Sequence, residues 1–239
     1  MNTVIKNLLG LALTPLLAAT ALADHHGDDG FVSLFNGKNL ENWDGNPKFW
    51  SVKDGAITGT TTKENPTKGN TFIIWRGGTV DNFELRLKFK IVGGNSGIQY
   101  RSEDKGNWVV GGYQGDFESG TTYSGILYEE KGRGILAQRG QKTDITTNGN
   151  KHKVTVVGSL GDTKDIQSVI KKEQWNDYKI IARGFEFTHI INGRVTVQVT
   201  DLDKKHRKEI GILALQLHAG PPMEVQFKDI RIKDLDGAH

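Results

Sequence analysis

Three stretches of the chain alternate hydrophobic residues with amide, imidazole or charged residues, so that polar side chains recur at every second position. Because successive side chains of a β-strand point to opposite faces, this spacing predicts polar groups gathered on one face of a sheet. Planar amides and charged groups in such a row form paired hydrogen bonds to vicinal hydroxyls, the groups that sugars present. The residues are Gln99 and Arg101 in the first stretch, Gln114 and Asp116 in the second, and Gln216 and His218 in the third.

The stretch 211–219 shows which face of its strand is polar. Its three leucines fall at alternate positions and therefore share a face that belongs to the core. The opposite face carries a small residue, an amide and an imidazole, which suit the floor of a polar groove. The alternative is a solvated outer face, but such faces usually carry lysine, glutamate and threonine. The core face holds Leu213, Leu215 and Leu217, and the polar face holds Ala214, Gln216 and His218.

Aromatic side chains are the second means of holding a sugar ring. Trp108 lies in a polar segment, where burial is less expected than for the other tryptophans. Burial in the core is the alternative for any tryptophan, because the indole offers a large hydrophobic surface. We assign Trp108 and Tyr128 to substrate binding, together with the amides of Gln99, Gln114 and Gln216.

Two groups of residues have the chemistry of metal ligands, and neither pattern is specific. His26 would be the third residue of a chain beginning at Asp24, where an amine, two amides and an imidazole can bind copper or nickel. A chance position in a polar lead-in is the stronger interpretation, and no metal ligand is assigned. The second group lies in a charged turn that we expect to be solvated rather than metal-bound, and consists of Asp201, Asp203, His206 and Glu209.

The elements that carry these residues are β-strands. The segment 83–91 alternates hydrophobic and charged residues throughout, which is the clearest strand pattern in the chain. Asn192 and Gly193, set between two hydrophobic segments, predict a tight hairpin. Further strands are expected at 175–182, 210–219 and 225–232. No segment keeps a helical period beyond about two turns, so the sequence predicts an all-β sandwich or jelly roll.

The first 23 residues have the order of a secretory signal peptide. Lys6 precedes a hydrophobic stretch that is too short to span a bilayer, and the segment ends in small residues at Ala23. A membrane anchor is the alternative. We expect cleavage after Ala23, which predicts a periplasmic or secreted protein. A flexible lead-in over 24–30, one domain over 31–235 and a short tail over 236–239 would follow.

Composition narrows the classes of partner. The chain has no cysteine, so an exported form would have neither disulfides nor a lipid anchor built on a cysteine thiol. The formal net charge is only +3, and no basic block or acidic tail stands out, so neither nucleic acid nor a membrane surface is indicated as a partner. The oligomeric state is not indicated by the sequence.

Eight short motifs, taken in order, resemble one known family. Together they span nearly the whole chain after residue 30, and they are similar to the signature of the 3-keto-disaccharide hydrolase domain family, long described as a domain of unknown function. Each motif is modest alone, and their order makes the resemblance convincing. The motifs occupy residues 33–43, 49–59, 95–101, 112–116, 175–178, 191–193, 215–218 and 227–230.

The resemblance implies a concanavalin A-like jelly-roll sandwich of two antiparallel sheets, one of them concave, and an exported enzyme that cleaves glycosides oxidised at C3. A C3 ketone acidifies the C2 proton, so a base can start an elimination that expels the C1 oxygen, and water added to the enone completes hydrolysis. His218 is the expected base because imidazole titrates near neutral pH, although a histidine that only binds substrate is the alternative. Arg101 would hold the enolate oxygen, with a divalent metal ion as the alternative, and Asp116 or Glu129 would be the acid.

Gln114 distinguishes this chain from retaining glucanases of the same fold. Those enzymes place a carboxylate nucleophile and an acid in a Glu-x-Asp-x-(x)-Glu pattern, whereas here the corresponding segment reads Gln114-Gly-Asp116-Phe-Glu118. An amide cannot form the glycosyl ester that retention requires. The remaining hypotheses are an elimination enzyme or a non-catalytic, lectin-like carbohydrate-binding module. In both, the partner is an oligosaccharide or glycoside.

Overall fold

The structure, a computed structural model, describes residues 30–236. Within this range the chain forms two β-sheets packed face to face and a single short helix, α1 (Thr163–Ser168). No helix in the described range is long and apolar enough to cross a membrane. The predicted signal peptide and His26 lie outside the described residues.

The larger sheet has ten strands, numbered here in chain order. Its neighbours run antiparallel except for one parallel pair, which joins β11 to β15. The strands are β1 (Val32–Ser33), β3 (Trp50–Lys53), β4 (Ala56–Thr61), β6 (Phe83–Val92), β11 (Gln141–Asn148), β12 (Lys151–Ser159), β13 (Asn176–Arg183), β14 (Glu186–Ile191), β15 (Arg194–Asp201) and β17 (Met223–Asp234).

The smaller sheet has seven strands in the spatial order β10-β9-β8-β7-β16-β5-β2. All of its pairs are antiparallel. The strands are β2 (Trp43–Gly45), β5 (Thr71–Trp75), β7 (Asn95–Asp104), β8 (Val110–Glu118), β9 (Leu127–Glu130), β10 (Gly134–Ala137) and β16 (Ile212–Leu217). The two sheets form the predicted jelly-roll sandwich.

The core lies between the two sheets and is built from the faces that alternation predicted. The Phe89 ring of β6 packs on Phe117 of β8, with ring centroids 4.0 Å apart. Phe117 also meets Phe227 of β17 edge to face. The hydrophobic face of β6 and the three leucines of β16 are buried in this core, which confirms their predicted orientation. Burial of such faces is the main favourable contribution to the stability of the sandwich.

The predicted hairpin is confirmed between β14 and β15. Asn192 and Gly193 connect the strands with φ values of 48° and 79°, the left-handed conformation that a tight two-residue hairpin requires. Asn192 also accepts a hydrogen bond from the backbone N–H of Asp177 on its side-chain oxygen, at 2.8 Å. The turn is therefore tied to the neighbouring strand β13.

The outer face of the smaller sheet is divided into an apolar part and a polar part. Phe72, Ile74, Val110 and Ala214 form a separate hydrophobic cluster on this face. Ala214, predicted to continue the polar floor, is fully buried in this cluster. The remaining part of the face carries the polar side chains of β8, β9 and β16.

Candidate functional site

A groove of about 670 Å³ opens on the polar part of the outer face of the smaller sheet. Strands β8, β9 and β16 form its floor, and the segments 118–126 and 218–223 form its walls. Five of the predicted site residues line it: Gln114 and Asp116 on β8, Tyr128 on β9, Gln216 on β16, and His218 just after β16. The polar and aromatic lining side chains are Asn70, Asn95, Gln114, Asp116, Glu118, Ser119, Tyr123, Tyr128, Glu130, Gln216 and His218.

A row of side-chain hydrogen bonds crosses the floor of the groove. Ser102 donates from Oγ to Oε1 of Gln99 at 2.6 Å, and Gln99 donates from Nε2 to Oε1 of Gln114 at 2.7 Å. Gln114 then donates to Oε1 of Gln216 at 3.5 Å, and Gln216 donates to Oε2 of Glu130 at 3.4 Å. Because a carboxylate only accepts hydrogen bonds, Glu130 sets the direction of the row and the orientation of each amide.

The far end of this row is joined to the segment that carries His218. Asn70 donates from Nδ2 to Oε2 of Glu130 at 3.4 Å and accepts from the backbone N–H of Ala219 at 3.0 Å. Gln99 itself has no exposed surface and does not line the groove. Its predicted role in substrate binding is therefore corrected to that of a support for Gln114, which does line the groove.

Close packing beneath Gln114 depends on a glycine of the adjacent strand. A Cβ added to Gly97 of β7 would lie 2.4 Å from the side chain of Gln114. Real side chains do not approach so closely, so a larger residue at this position would displace the amide. Gly97 also pairs with Asp116 across the two strands, so this glycine leaves room for two groove residues.

Asp116 is an uncharged acid at neutral pH. Burial raises its pKa to about 8, although hydrogen bonds from Asn95 and Gln114 oppose the shift. Only 6% of the residue is exposed, and its Oδ1 has no hydrogen-bond partner among the described residues. A protonated carboxyl lining a cavity can donate its proton to an oxygen bound there.

His218 is fixed in the tautomer that leaves one nitrogen able to accept a proton. Its Nδ1 lies 2.5 Å from the backbone oxygen of Ala219. Since a carbonyl oxygen only accepts, Nδ1 carries the hydrogen and the Nε2 of the neutral ring has the lone pair. The half-buried ring lines the groove. The structure therefore places the predicted base and the predicted acid in one cavity.

Two tyrosines provide the aromatic surface of the groove. Tyr128 is half-buried, and burial together with Glu130 and Asp116 raises the pKa of its hydroxyl. The hydroxyl therefore stays protonated and able to donate. Tyr123, which was not predicted, is 44% exposed at the groove wall, and its ring offers an accessible apolar face.

Trp108, predicted to line the site, does not line the groove. Its indole N–H donates to Oδ1 of Asp44 at 2.8 Å, and Arg76 donates to Oδ2 of Asp44 at 2.7 Å. The hydrogen bond from Trp108 and that from Arg76 lower the pKa of Asp44. Trp108 is therefore held at the side of the sheet that carries β2, away from the polar floor.

Arg101 also departs from its predicted position. The pairing of β7 with β8 is interrupted by a bulge after Tyr100, and Arg101 has a φ of 45°. The strand alternation is lost there, since a bulge re-aims the side chain. The guanidinium instead donates to the backbone oxygens of Asp81 at 2.7 Å, Gly184 at 2.6 Å and Lys208 at 3.3 Å. The prediction that Arg101 holds the enolate oxygen is wrong.

Glu129 faces the interior rather than the groove. It pairs across the strands with Tyr113, a core residue. Arg133 donates from Nε to Glu129 at 2.6 Å and from Nη2 to Asp201 at 2.6 Å. Although burial opposes it, hydrogen bonds to Asp201 and Glu129 raise the pKa of Arg133. Glu129 is thus part of a buried ion-pair network, and its assignment as the acid is wrong.

The charged turn after β15 is exposed for most of its length, Glu209 included, as predicted, but two of its carboxylates are buried. Asp201 and Asp203 have no exposed surface. Asp203 accepts hydrogen bonds from Thr147 at 2.6 Å and from Nδ1 of His206 at 2.7 Å. The signal that was missed is Arg133, whose positive charge is neutralised by these carboxylates.

Metal-ligating side chains converge at one other place in the described part of the chain. There, Asp81, Asp234 and Asp236 bring their ligand oxygens within 4.8 Å of one another. All three are exposed and none lines the groove. Exposed acidic groups of this kind are common without an ion, so no metal site is assigned to them.

Besides Glu118 and Ser119, four polar or aromatic groove residues were not predicted from the sequence. Glu130 could have been predicted from the alternation of the strand. Leu127 is a core residue, so period two places Tyr128 and Glu130 together on the outer face. The other three are Asn70, Asn95 and Tyr123. Asn70 and Tyr123 belong to loops, where no periodicity gives a direction.

Comparison with known proteins identifies relatives of the whole described range. Residues 30–233 match the family described as the 3-keto-alpha-glucoside-1,2-lyase-like domain. The curated 3-keto-disaccharide hydrolase of Bacteroides thetaiotaomicron is 33% identical over 88 residues, which are 32% of this chain and 29% of that protein. The matched part is thus less than a third of that relative's length.

Solved structures share the fold at low sequence identity. A candidate glycosyl hydrolase of Parabacteroides distasonis is 22% identical with a TM-score of 0.57, over 86% of this chain and 99% of that one. A carbohydrate-binding module of Bacillus subtilis is 13% identical with a TM-score of 0.52, over 81% of this chain and 96% of that one. The family match and the named relative together support a carbohydrate-active, glycosidase-like function.

Proposed function

The chain belongs to the 3-keto-alpha-glucoside-1,2-lyase-like domain family, and from this premise we propose that it cleaves the glycosidic bond of 3-keto-glycosides or 3-keto-disaccharides by elimination followed by hydration. The observation that carries the proposal is that an imidazole nitrogen able to accept a proton and a protonated carboxyl line the same groove. His218 has a free Nε2, and Asp116 has a pKa of about 8.

The first step is removal of the C2 proton by Nε2 of His218. The electron pair of the C2–H bond moves toward the C3 carbonyl, and an enolate oxygen develops. Donors aimed at that oxygen lower the barrier. The structure offers the hydroxyl of Tyr128 and the amide of Gln114 in this role, which the sequence had assigned to Arg101.

The second step breaks the bond between C1 and the glycosidic oxygen. The enolate electrons form the C1–C2 double bond, the C1–O bond breaks, and Asp116 gives its proton to the leaving oxygen. Water then adds to the enone. Asp116 takes a proton from the water, hydroxide bonds to C1, and the protonated His218 returns a proton to C2. The sum is hydrolysis, and both side chains end as they began.

The amides of the floor hold the sugar during these steps. Gln114 and Gln216 are oriented by the row that ends at Glu130, so each presents a defined donor or acceptor to a hydroxyl. Gln114 also supports elimination over retention, because an amide cannot form the glycosyl ester of a retaining enzyme.

The test is product release from 3-keto-trehalose and 3-keto-lactose beside their unoxidised parents, followed by mass and by enone absorbance. We expect product release from the keto sugars and none from the unoxidised parents. The variant His218→Gln should abolish this release, and the control His152→Gln should retain it. If a chelator abolishes product release, a divalent metal ion stabilises the enolate oxygen. Binding of these sugars without any release would contradict the proposal and favour the lectin-like alternative.

We also propose that the enzyme acts after export, in the periplasm or outside the cell. The support is the sequence pattern of the first 23 residues. Fractionation of the producing cell and amino-terminal sequencing of the purified protein test this. A mature chain beginning at Asp24 outside the cytoplasm is expected, and an unprocessed cytoplasmic chain would contradict it.

A further inference from the structure

A second cavity, of about 580 Å³, borders the groove and is rich in basic side chains. It lies beyond the end of β9, between the segment 130–133, the tip of the β11–β12 hairpin and the segment 205–208. Glu130 lines both cavities. The basic residues around it are Lys105, Lys131, Arg133, Lys151, His152, Lys205, His206 and Lys208.

Part of this positive charge is neutralised within the protein. Lys105 pairs with Glu103 at 2.6 Å. The pKa of Glu103 is lowered by Lys105 and also by Lys208. The charge of Arg133 is neutralised by its buried carboxylate partners, including Glu129 at 2.6 Å. The carboxylate of Glu130 already accepts from the amides of the groove floor.

Three other lysines of the cavity remain without a carboxylate partner among the described residues. Lys131 and Lys151 are exposed and form no ion pair there, and the Nζ of Lys205 contacts only the neutral Asn150, at 3.0 Å. The lysines and arginine of the cavity outnumber its three glutamates, Glu103, Glu129 and Glu130, and a concave surface with an excess of one sign of charge raises the local concentration of ligands with the opposite charge. The cavity is therefore suited to an anionic group.

We propose that this cavity binds a carboxylate or sulfate substituent on the part of the glycan that extends past the cleaved bond. The assignment rests on the proposed function, because Glu130 joins the lysine cavity to the groove in which the sugar is cleaved. A lysine ammonium binds as a compact point charge without the planar fork of arginine, so charge rather than geometry selects the ligand. Acidic oligosaccharides are then the preferred substrate class.

The test compares three tetrasaccharides of equal length, one of hexuronate, one sulfated and one neutral, together with sodium sulfate. Titration calorimetry on the full chain at low salt should show the two acidic oligosaccharides binding about tenfold more tightly than the neutral one, since several exposed ion pairs each add a modest gain in affinity. The preference should shrink at high salt. The triple variant Lys131→Ala, Lys151→Ala, Lys205→Ala should lose it.

The matched control removes the same charge elsewhere, as Lys38→Ala, Lys63→Ala, Lys164→Ala, all at exposed positions outside the cavity. The control should keep the preference. An equal loss in the control, no preference in the parent protein, or displacement of the acidic glycan by an equal concentration of sodium sulfate would each overturn the assignment.

Cleavage of a neutral 3-keto-disaccharide separates this inference from the proposed function. The triple variant should cleave it at the parent rate, because none of the three lysines lines the groove. A parent protein that binds acidic glycans but cleaves no keto sugar would contradict the function and leave the binding assignment standing.

Discussion

Gln99 donates a hydrogen bond of 2.7 Å to Gln114 from a position with no exposed surface. The two amides lie opposite each other on neighbouring antiparallel strands, β7 and β8. Only Gln114 lines the groove. A ligand in the groove therefore meets an amide whose orientation is fixed by a residue it does not touch.

Replacement of Gln99 should weaken substrate binding through Gln114. Gln99→Leu removes the donor to Oε1 of Gln114 and leaves that buried oxygen without its partner, which costs about 1–3 kcal/mol. We expect KM to rise about tenfold with kcat changed less. The control is Gln138→Leu at an exposed position outside the groove. An unchanged KM in a folded Gln99→Leu protein would contradict the supporting role.

Asp116→Asn should increase the free energy of unfolding, by an amount that grows as the pH rises. The folded-state pKa of about 8 lies above the usual aspartate value of 3.8, so the folded protein holds a proton that the unfolded chain releases. This carboxyl therefore lowers stability progressively between about pH 4 and pH 8. The full cost is at most about 6 kcal/mol.

The measurement is the free energy of unfolding of parent and Asp116→Asn between pH 4 and pH 8. The variant's advantage should be smallest at pH 4 and largest at pH 8. Asp54→Asn, at an exposed turn, is the control and should show no such trend. An advantage that does not grow with pH would show that the carboxyl is ionised in the folded state.

Asp116→Asn should slow the cleavage of substrates whose leaving group needs a proton more than that of substrates whose leaving group does not. Asp116→Asn cannot protonate the departing oxygen of a disaccharide, so kcat should fall by about 10²–10⁴. A 4-nitrophenyl 3-keto-glucoside, whose leaving group departs as an anion, should lose much less. Equal losses on both substrates would remove Asp116 from the role of general acid.

Tyr123 should contribute apolar contact with a sugar ring. Tyr123→Ala should raise KM about five- to tenfold, since aromatic contacts add about 0.5–1.5 kcal/mol, whereas Tyr123→Phe should retain binding. Trp108→Phe is the informative control, because the structure places Trp108 outside the groove. A larger effect at Trp108 than at Tyr123 would restore the sequence-based assignment.

Arg101 should matter for stability rather than chemistry. Arg101→Met leaves several carbonyl oxygens without their donor, at about 1–3 kcal/mol for each one that stays buried. The melting temperature should fall, while cleavage per folded molecule should persist below it. Arg183→Met, at an exposed position, is the control. A stable variant without activity would place Arg101 at the reacting sugar.

Alternation predicted most of the fold and part of the groove, because period two is a direct consequence of strand geometry. It placed Gln114, Asp116 and Gln216 on the outer face of the smaller sheet, and the resemblance added the jelly roll. It failed at Arg101 because a bulge with positive φ reverses the side chain there. A bulge leaves little signal in a single sequence.

The acidic residues at the end of β9 show a different limit. Glu129 and Glu130 are adjacent and chemically identical, so only the strand pairing decides which of them faces the groove. Glu129 lies opposite the core residue Tyr113, and its charge is matched by Arg133. The loop residues Asn70 and Tyr123 reach the groove through tertiary packing, for which the sequence offers no period.

The most direct test of the central claim is exchange of the C2 proton in deuterium oxide. A 3-keto-glycoside incubated with the protein should gain deuterium at C2, in product and in recovered substrate, and His218→Gln should abolish this while His152→Gln retains it. Cleavage of the keto sugar with C2 fully protonated throughout would contradict proton abstraction as the first step.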